Sequence, residues 1–291
     1  MVEMTIRSSQ MQLAMLDFYQ IRGLEYFSSA AAQNLESRFG HTNIRLIDYD
    51  DDPLNDLVIS FEPLIPVIEQ SSWYKYWNAT QEVYPLYPVV RPMYMQLQIV
   101  SFQKRNFLRQ AIRLTETEKS NILIALKDWV DFPDKSPYYS FQKYNCAYGL
   151  FHLFDLANID VGERTRFPGK LPKLLVESSR SLMEAEPSLN IEGVFDKLMK
   201  LGLANAEKSL LLQKEALEAF SGGDVELLMS GVLPITPNMM DQLLSTDAYK
   251  TLKGSNQLTS IDEKLNLRSY PDCYYDFSVD EKKCLDKVSA N

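Results

Sequence analysis

The chain is poor in the residues that most often carry chemistry: its 291 residues include two histidines and three cysteines. No CxxC pair and no His/Cys cluster at metal-ligand spacing occurs, which argues against a structural zinc site. Basic residues number 30 against 39 acidic ones, for a net charge of -9 and a pI near 4.9. With no basic stripe, nucleic acid is not expected as a partner. No hydrophobic run approaches the length of a membrane span, and Met1 to Gln10 lacks a charged region followed by an apolar one. The sequence as read therefore shows no signal peptide, which leaves the cytoplasm open as a compartment. There is no internal repeat. What is present is a 45% hydrophobic composition with 16 tyrosines and 14 phenylalanines, enough for one large domain or two modest ones.

Scarcity makes the remaining pairings informative. His41 follows Arg38-Phe39-Gly40 and opens the run Thr42-Asn43-Ile44-Arg45-Leu46-Ile47-Asp48-Tyr49, whose alternation predicts a half-buried strand. Cys146 follows Tyr144-Asn145 and opens a helical segment with an apolar stripe of Leu150, Leu153, Phe154 and Ala157. A helix start lowers a thiol pKa, and an imidazole within reach can complete its deprotonation. The pair therefore points to acyl chemistry. Cys273 and Cys284 lie eleven positions apart in a Tyr- and Asp-rich tail. Two readings stand for them: a disulfide in an oxidising compartment, or two unpaired surface thiols.

Around these residues the chain divides unevenly. Residues 11–36 read as one or two short helices, or as a strand and a helix. Asp50-Asp51-Asp52-Pro53 is a turn, and Leu57 to Phe61 a second strand, so 41–61 is expected to form an antiparallel hairpin. Trp73 to Pro92 is dense in aromatics and prolines, which excludes a long helix and favours a loop packed over the core ahead of an exposed lining of a substrate groove. Val89 to Lys104 then offers a strand centred on Met95 to Val100. Thr115-Glu116-Thr117-Glu118 is a capping box opening a helix that ends near Phe132-Pro133. Asn145 is placed as the N-cap of the Cys146 helix. Beyond Leu171-Pro172 the composition turns to Leu, Met, Glu and Lys, predicting helices near 172–184, 191–202, 203–220 and 237–252 and an almost wholly helical 185–255.

The ordered set of Ser37-Arg38-Phe39-Gly40-His41-Thr42, Tyr138 through Asn145-Cys146-Ala147, and Phe167-Pro168-Gly169-Lys170-Leu171-Pro172 resembles a bacterial family named after the Lnb N-terminal periplasmic domain. The resemblance covers about residues 30–180. Such families look similar to the NlpC-type papain-like superfamily in its circularly permuted form, in which the histidine strand precedes the cysteine helix. Lecithin:retinol acyltransferase-like proteins share that order and an Asn-Cys pair. The fold this implies is α+β, a permuted papain-like unit with a small antiparallel sheet packed on the cysteine helix, over 1–180. A helical accessory region would follow over 181–291. The resemblance also implies a periplasmic or secreted location and a peptide, peptidoglycan or lipid acyl substrate, since permuted members include acyltransferases and lipid or amide hydrolases. Ala147-Tyr148 departs from the pattern by offering no charge or imidazole after the cysteine.

The expected catalytic set is Cys146 as nucleophile, His41 as base and Ser60 as the group orienting the imidazole, with Glu62 and Asp56 behind Ser60. The backbone N–H of Cys146 is the expected oxyanion donor. His152 lies six residues after Cys146, about 240° around the helix, and should point elsewhere. No metal or organic cofactor is required by this chemistry. Two other classes are kept: a binding or scaffold protein on a papain-like fold, and a membrane-surface protein using its Met- and Leu-rich helices.

Overall fold

The computed structural model describes residues 2–16, 21–29, 40–48, 56–65, 72–93, 96, 107–177 and 189–191. Six strands form one sheet: β1 (Ile21–Ser29), β2 (His41–Asp48), β3 (Leu57–Pro63), β4 (Leu86–Pro92), β5 (Phe107–Ile112) and β6 (Leu189–Ile191). Their order is β4-β3-β2-β1-β5-β6 and every pairing is antiparallel. The helices are α1 (Val2–Ala14), α2 (Ser72–Thr80), α3 (Glu116–Asp131), α4 (Cys146–Leu156) and α5 (Leu171–Glu177). The described part is thus α+β, with an antiparallel sheet against the cysteine helix.

The expected hairpin is present, with Asn43 opposite Ser60 and Leu46 opposite Leu57; its turn lies outside the described residues. Alternation sorts the two faces. Leu24, Tyr26, Ile44, Leu46, Ile59 and Phe61 join the apolar core with Leu150, Leu153 and Phe154 of α4. Glu25, Asn43, Arg45 and Ser60 fall on the opposite face, buried but polar. Helix α4 lies very close to the sheet at Gly149, where a Cβ would meet Phe61 Cγ at 2.6 Å. Only glycine allows that approach. Helix α3 starts at the predicted capping box: Thr115 Oγ1 accepts from the Glu118 N–H and Thr115 N–H donates to Glu118. Ile122, Leu126, Trp129 and Val130 are its buried stripe, and it ends at Asp131.

Several expectations need correction. Of the two readings of 11–36, the described residues hold the end of α1 and then strand β1, and 30–36 lie outside them. The Trp73 to Pro92 stretch is no loop: it holds α2 and then β4. Strand β4 tolerates Pro88 and Pro92 because it is a sheet edge. The Val90 N–H turns away from β3 and donates to Ser9 Oγ at 3.0 Å, so the nitrogens two residues either side also face outward. A proline there forfeits no ladder bond. The strand expected around Met95 to Val100 falls almost wholly outside the described residues. Strand β5 was not anticipated, because Arg109 and Gln110 break its apolar pattern; both are nevertheless buried.

The helix expected at 172–184 appears as Leu171–Glu177. Within the stretch predicted to be helical, Leu189–Ile191 instead pairs with β5, Leu108 facing Asn190. The unpaired edge of β5 gives those three residues ladder bonds that a short helix start could not match. The remaining predicted helices, and Cys273 and Cys284, lie outside the described residues.

Candidate active site

Cys146 is the first residue of α4, and Asn145 caps it as expected. Asn145 Oδ1 accepts from the N–H groups of Ala147 (3.1 Å) and Tyr148 (3.5 Å). Its Nδ2 donates to the carbonyls of Phe141 (3.3 Å) and Arg166 (2.8 Å). One amide therefore ties the helix start to the two loops flanking it. The thiol is 6% exposed and belongs to the apolar core. Burial pushes its pKa up, against the lowering effect of Thr42 and of the N–H groups of Ala147 and Cys146. The helix start was expected to lower this pKa; desolvation outweighs it.

His41 opens β2 directly after Gly40, whose φ of 82° is the left-handed backbone that glycine adopts without strain. Its ring joins a chain of polar contacts. His41 Nε2 lies 2.6 Å from Ser60 Oγ, and Ser60 Oγ donates to Glu62 Oε1 at 2.6 Å. Arg91 closes the chain with two bonds to Glu62, 2.7 and 3.0 Å. Burial alone would raise the Glu62 carboxyl; the Arg91 charge and hydrogen bonds, with His41 and Ser60, outweigh it and hold the pKa at about 2. Glu62 is therefore an acceptor only. Since the one Ser60 proton goes to Glu62, Ser60 must accept from His41 Nε2–H. This network assigns the tautomer and leaves Nδ1 as the basic nitrogen of the neutral ring.

Cys146 and His41 line one cavity of about 250 Å³ together with Gly40, Tyr139, Phe141, Gln142, Asn145, Arg166, Phe167 and Pro168. They reach it from different sides of the sheet. Thr42, beside the thiol, points toward the helix layer with Ile44, whereas His41 shares the polar face with Asn43 and Ser60. Being the first strand residue, His41 still borders the cavity at the sheet's end.

Of the groups ranked behind Ser60, Glu62 is in the chain and Asp56 is not. Asp56 is turned to Arg45, accepting its Nε–H at 2.8 Å, and accepts from the Asp48 N–H at 3.0 Å. Burial raises its pKa to about 6 despite Arg45. Arg45 also bonds Glu25 at 3.2 Å, and Glu25 lies 2.9 Å from Arg109, so a buried ion cluster absorbs Asp56 on that face. His152 points away as predicted: it stacks on Tyr148 (5.7 Å) and meets Trp129 edge-on (4.8 Å), and burial lowers its pKa. The sequence reading missed Arg91, which it placed where the Trp73 to Pro92 loop and the Val89 to Lys104 strand overlap, and Thr42, which is 0% exposed. It also missed Tyr26, a buried phenol raised to about 12 by desolvation, its hydroxyl 3.5 Å from the Pro168 carbonyl. Alternation along the hairpin was the one signal pointing Thr42 inward.

An α+β unit that brings a helix-start cysteine and an anchored histidine to one cavity is the class of protein these observations define. Residues 10–177 match the family model of the Lnb N-terminal periplasmic domain, and the chain belongs to that family. The match runs from the end of α1 through α5 and contains both His41 and Cys146. Its description is of a periplasmic domain, which agrees with the cell-envelope location expected above. No curated protein and no solved structure matches the chain.

Proposed function

We propose that the protein is a cysteine-dependent acyl hydrolase or acyltransferase, acting on an amide, ester or thioester in a permuted papain-like arrangement. The observation that carries this reading is the His41–Ser60–Glu62–Arg91 chain opening onto the Cys146 cavity. A relay ending in a bidentate Arg–Glu pair fixes one imidazole tautomer, and a ring needs that fixing when its other nitrogen is to work as a base. The order of elements supports the reading too, since the histidine strand precedes the cysteine helix.

In this mechanism His41 Nδ1 takes the Cys146 proton and the thiolate attacks the substrate carbonyl carbon. The tetrahedral oxyanion is met by the Cys146 backbone N–H at the start of α4. The imidazolium then gives its proton to the departing amine, alcohol or thiol, leaving an acyl thioester on Cys146. Water, or a second acceptor in a transferase, attacks that thioester with His41 again removing the proton. Burial raises the thiol pKa, so the thiolate depends on His41 to accept its proton.

The test is intact mass of the wild-type chain and Cys146→Ala after incubation with cell-envelope extract. The expected result is an acyl adduct on the wild type alone, its mass naming the acyl group. An adduct that persists in Cys146→Ala removes the thiol from the mechanism. One observation favours a second reading, a binding protein on a papain-like scaffold: the thiol is 6% exposed and its pKa is raised by burial. Iodoacetamide separates the two, since a working thiol reacts well below pH 8 and a structural one does not.

A further inference from the structure

Arg166 and Phe167 belong to two cavities at once. They border the cavity of Cys146 and His41, and they also line an adjoining groove of about 700 Å³. Lys143, Arg164, Arg166, Lys170 and Lys173 line that groove against the carboxylate of Glu163. A cationic groove runs against the charge of a chain carrying a net -9. Two of its cations are matched nearby: Arg164 holds Asp155 through two bonds of 2.9 and 2.6 Å, and Lys143 lies 3.9 Å from Glu82. Arg166 and Lys170 are different. Among the described residues no carboxylate stands within ion-pair distance of either.

Both sit instead 5.4 Å from the centre of the Phe167 ring, which is 46% exposed. Attraction of a cation to an exposed ring is weak, and two like charges gathered at one ring repel each other. An oxyanion in the groove that both line would relieve that repulsion. The arrangement is also fixed relative to the thiol, because the Arg166 carbonyl accepts from Asn145, the residue that caps the Cys146 helix.

We propose that this groove is an oxyanion subsite, taking a phosphate or carboxylate carried by the substrate while the acyl carbonyl lies over Cys146. The proposal deepens the cysteine-acyl reading and rests on it for the position of the reacting bond; anion binding by the groove does not depend on it.

Alkylation of Cys146 in the full chain tests it, because iodoacetate carries a carboxylate and iodoacetamide does not, while in both the thiolate displaces iodide. The iodoacetate-to-iodoacetamide rate ratio should fall about tenfold in the double variant Arg166→Gln/Lys170→Gln, and the difference should shrink with added salt. Equal ratios in the two proteins overturn the subsite. A folded wild type whose Cys146 reacts with neither reagent counts against the nucleophile, and the subsite is then decided by inorganic phosphate. Phosphate at matched ionic strength should raise the Tm of the wild type and not that of the double variant; equal shifts overturn the proposal. Flotation on phosphatidylglycerol against phosphatidylcholine vesicles assigns the source. Binding to the anionic vesicles alone, lost in the double variant, places the oxyanion on a lipid headgroup. Phosphate stabilisation without flotation places it on a soluble molecule.

Discussion

On the helix side of the cavity, Cys146 is held by apolar packing and by the first N–H groups of α4, and burial pushes its thiol up. On the sheet side, His41 is held by charge, through Ser60 to a Glu62 carboxylate that Arg91 keeps ionised down to about pH 2. The difference teaches where activation has to come from. A thiol with a raised pKa cannot supply its own thiolate at neutral pH, so a reactive Cys146 must borrow its basicity from the imidazole. The sheet side has the features of a prepared base: one tautomer, one orientation, and a fixed negative charge behind the ring. If the comparison is right, damage to either side should silence the same step, but for opposite reasons.

The largest effect is expected from the pair itself. Cys146→Ala should abolish turnover while the fold survives, and His41→Ala should cost nearly as much. The double variant should be no worse than either single one, because members of a nucleophile–base unit fail together. General-base assistance contributes roughly 10² to 10⁴ in rate. A His41→Ala variant within about threefold of wild type would show that the thiol is activated without the sheet side, a loss far below that range.

Weakening the charge lock should sharpen the comparison. Arg91→Gln removes both bonds to Glu62 and the positive charge that offsets its burial, so the Glu62 pKa rises from about 2. In the wild type the stabilisation from ionised Glu62 is complete above its ordinary value of 4.5 and is lost as pH falls toward about 2. In Arg91→Gln that loss begins at a higher pH. The expected kcat/KM is lower by about tenfold at neutral pH, a part of the general-base contribution, and its acid limb moves upward. The rate profile from pH 4 to 8 reads both. An unshifted acid limb would separate Glu62 from the base.

How much of this was legible follows from where each signal resides. The hairpin, the capping box of α3 and the Asn145 cap depend on residues close in sequence, and each was read from spacing. Ser60 could be chosen because it lies on the strand after the histidine, where antiparallel pairing returns the chain. Its neighbour Glu62 was ranked lower although it completes the same chain of contacts. Arg91 was out of sight because its meaning lies in a partner 29 positions away, on a strand disguised by Pro88 and Pro92. Strand β5 was hidden for a related reason: Arg109 reads as a surface residue until Glu25 is placed beside it. Buried charge is the common cause. Polar residues that satisfy one another across strands break the pattern that marks a strand.

A stability effect on the helix side comes next. Gly149→Ala puts a methyl group 2.6 Å from Phe61 Cγ, a contact that must be relieved by moving either α4 or the Phe61 ring. Phe61 also stacks on Trp129 at 5.7 Å, so it has little freedom to give way. Overpacking of this kind costs about 1–3 kcal/mol. Because α4 carries Cys146, activity per folded molecule should fall as well, which thermal melts and active-site titration would separate. Unchanged melting would mean that the helix can retreat from the sheet freely and that its packing does not set the thiol's position.

The smallest effect is expected at His152, the second histidine and the only other imidazole in the chain. It shares α4 with Cys146 but stacks on Tyr148 and Trp129 around the helix from the thiol, and burial lowers its pKa. Besides burial, the charges that act on its ring are those of Asp155 and Arg164, and neither belongs to the Cys146–His41 site. Its removal should leave the acid limb where it is. His152→Ala forfeits two ring contacts, worth about 1 kcal/mol in total for a half-buried site, and should lower the Tm slightly. The rate of Cys146 alkylation and kcat/KM should stay within about twofold of wild type, well inside the tenfold that 1.4 kcal/mol would produce. Paired with His41→Ala, this variant tells the two imidazoles apart. A larger loss in His152→Ala than in His41→Ala would transfer the base from the sheet to the helix, and the contrast between the two sides of the cavity would fall with it.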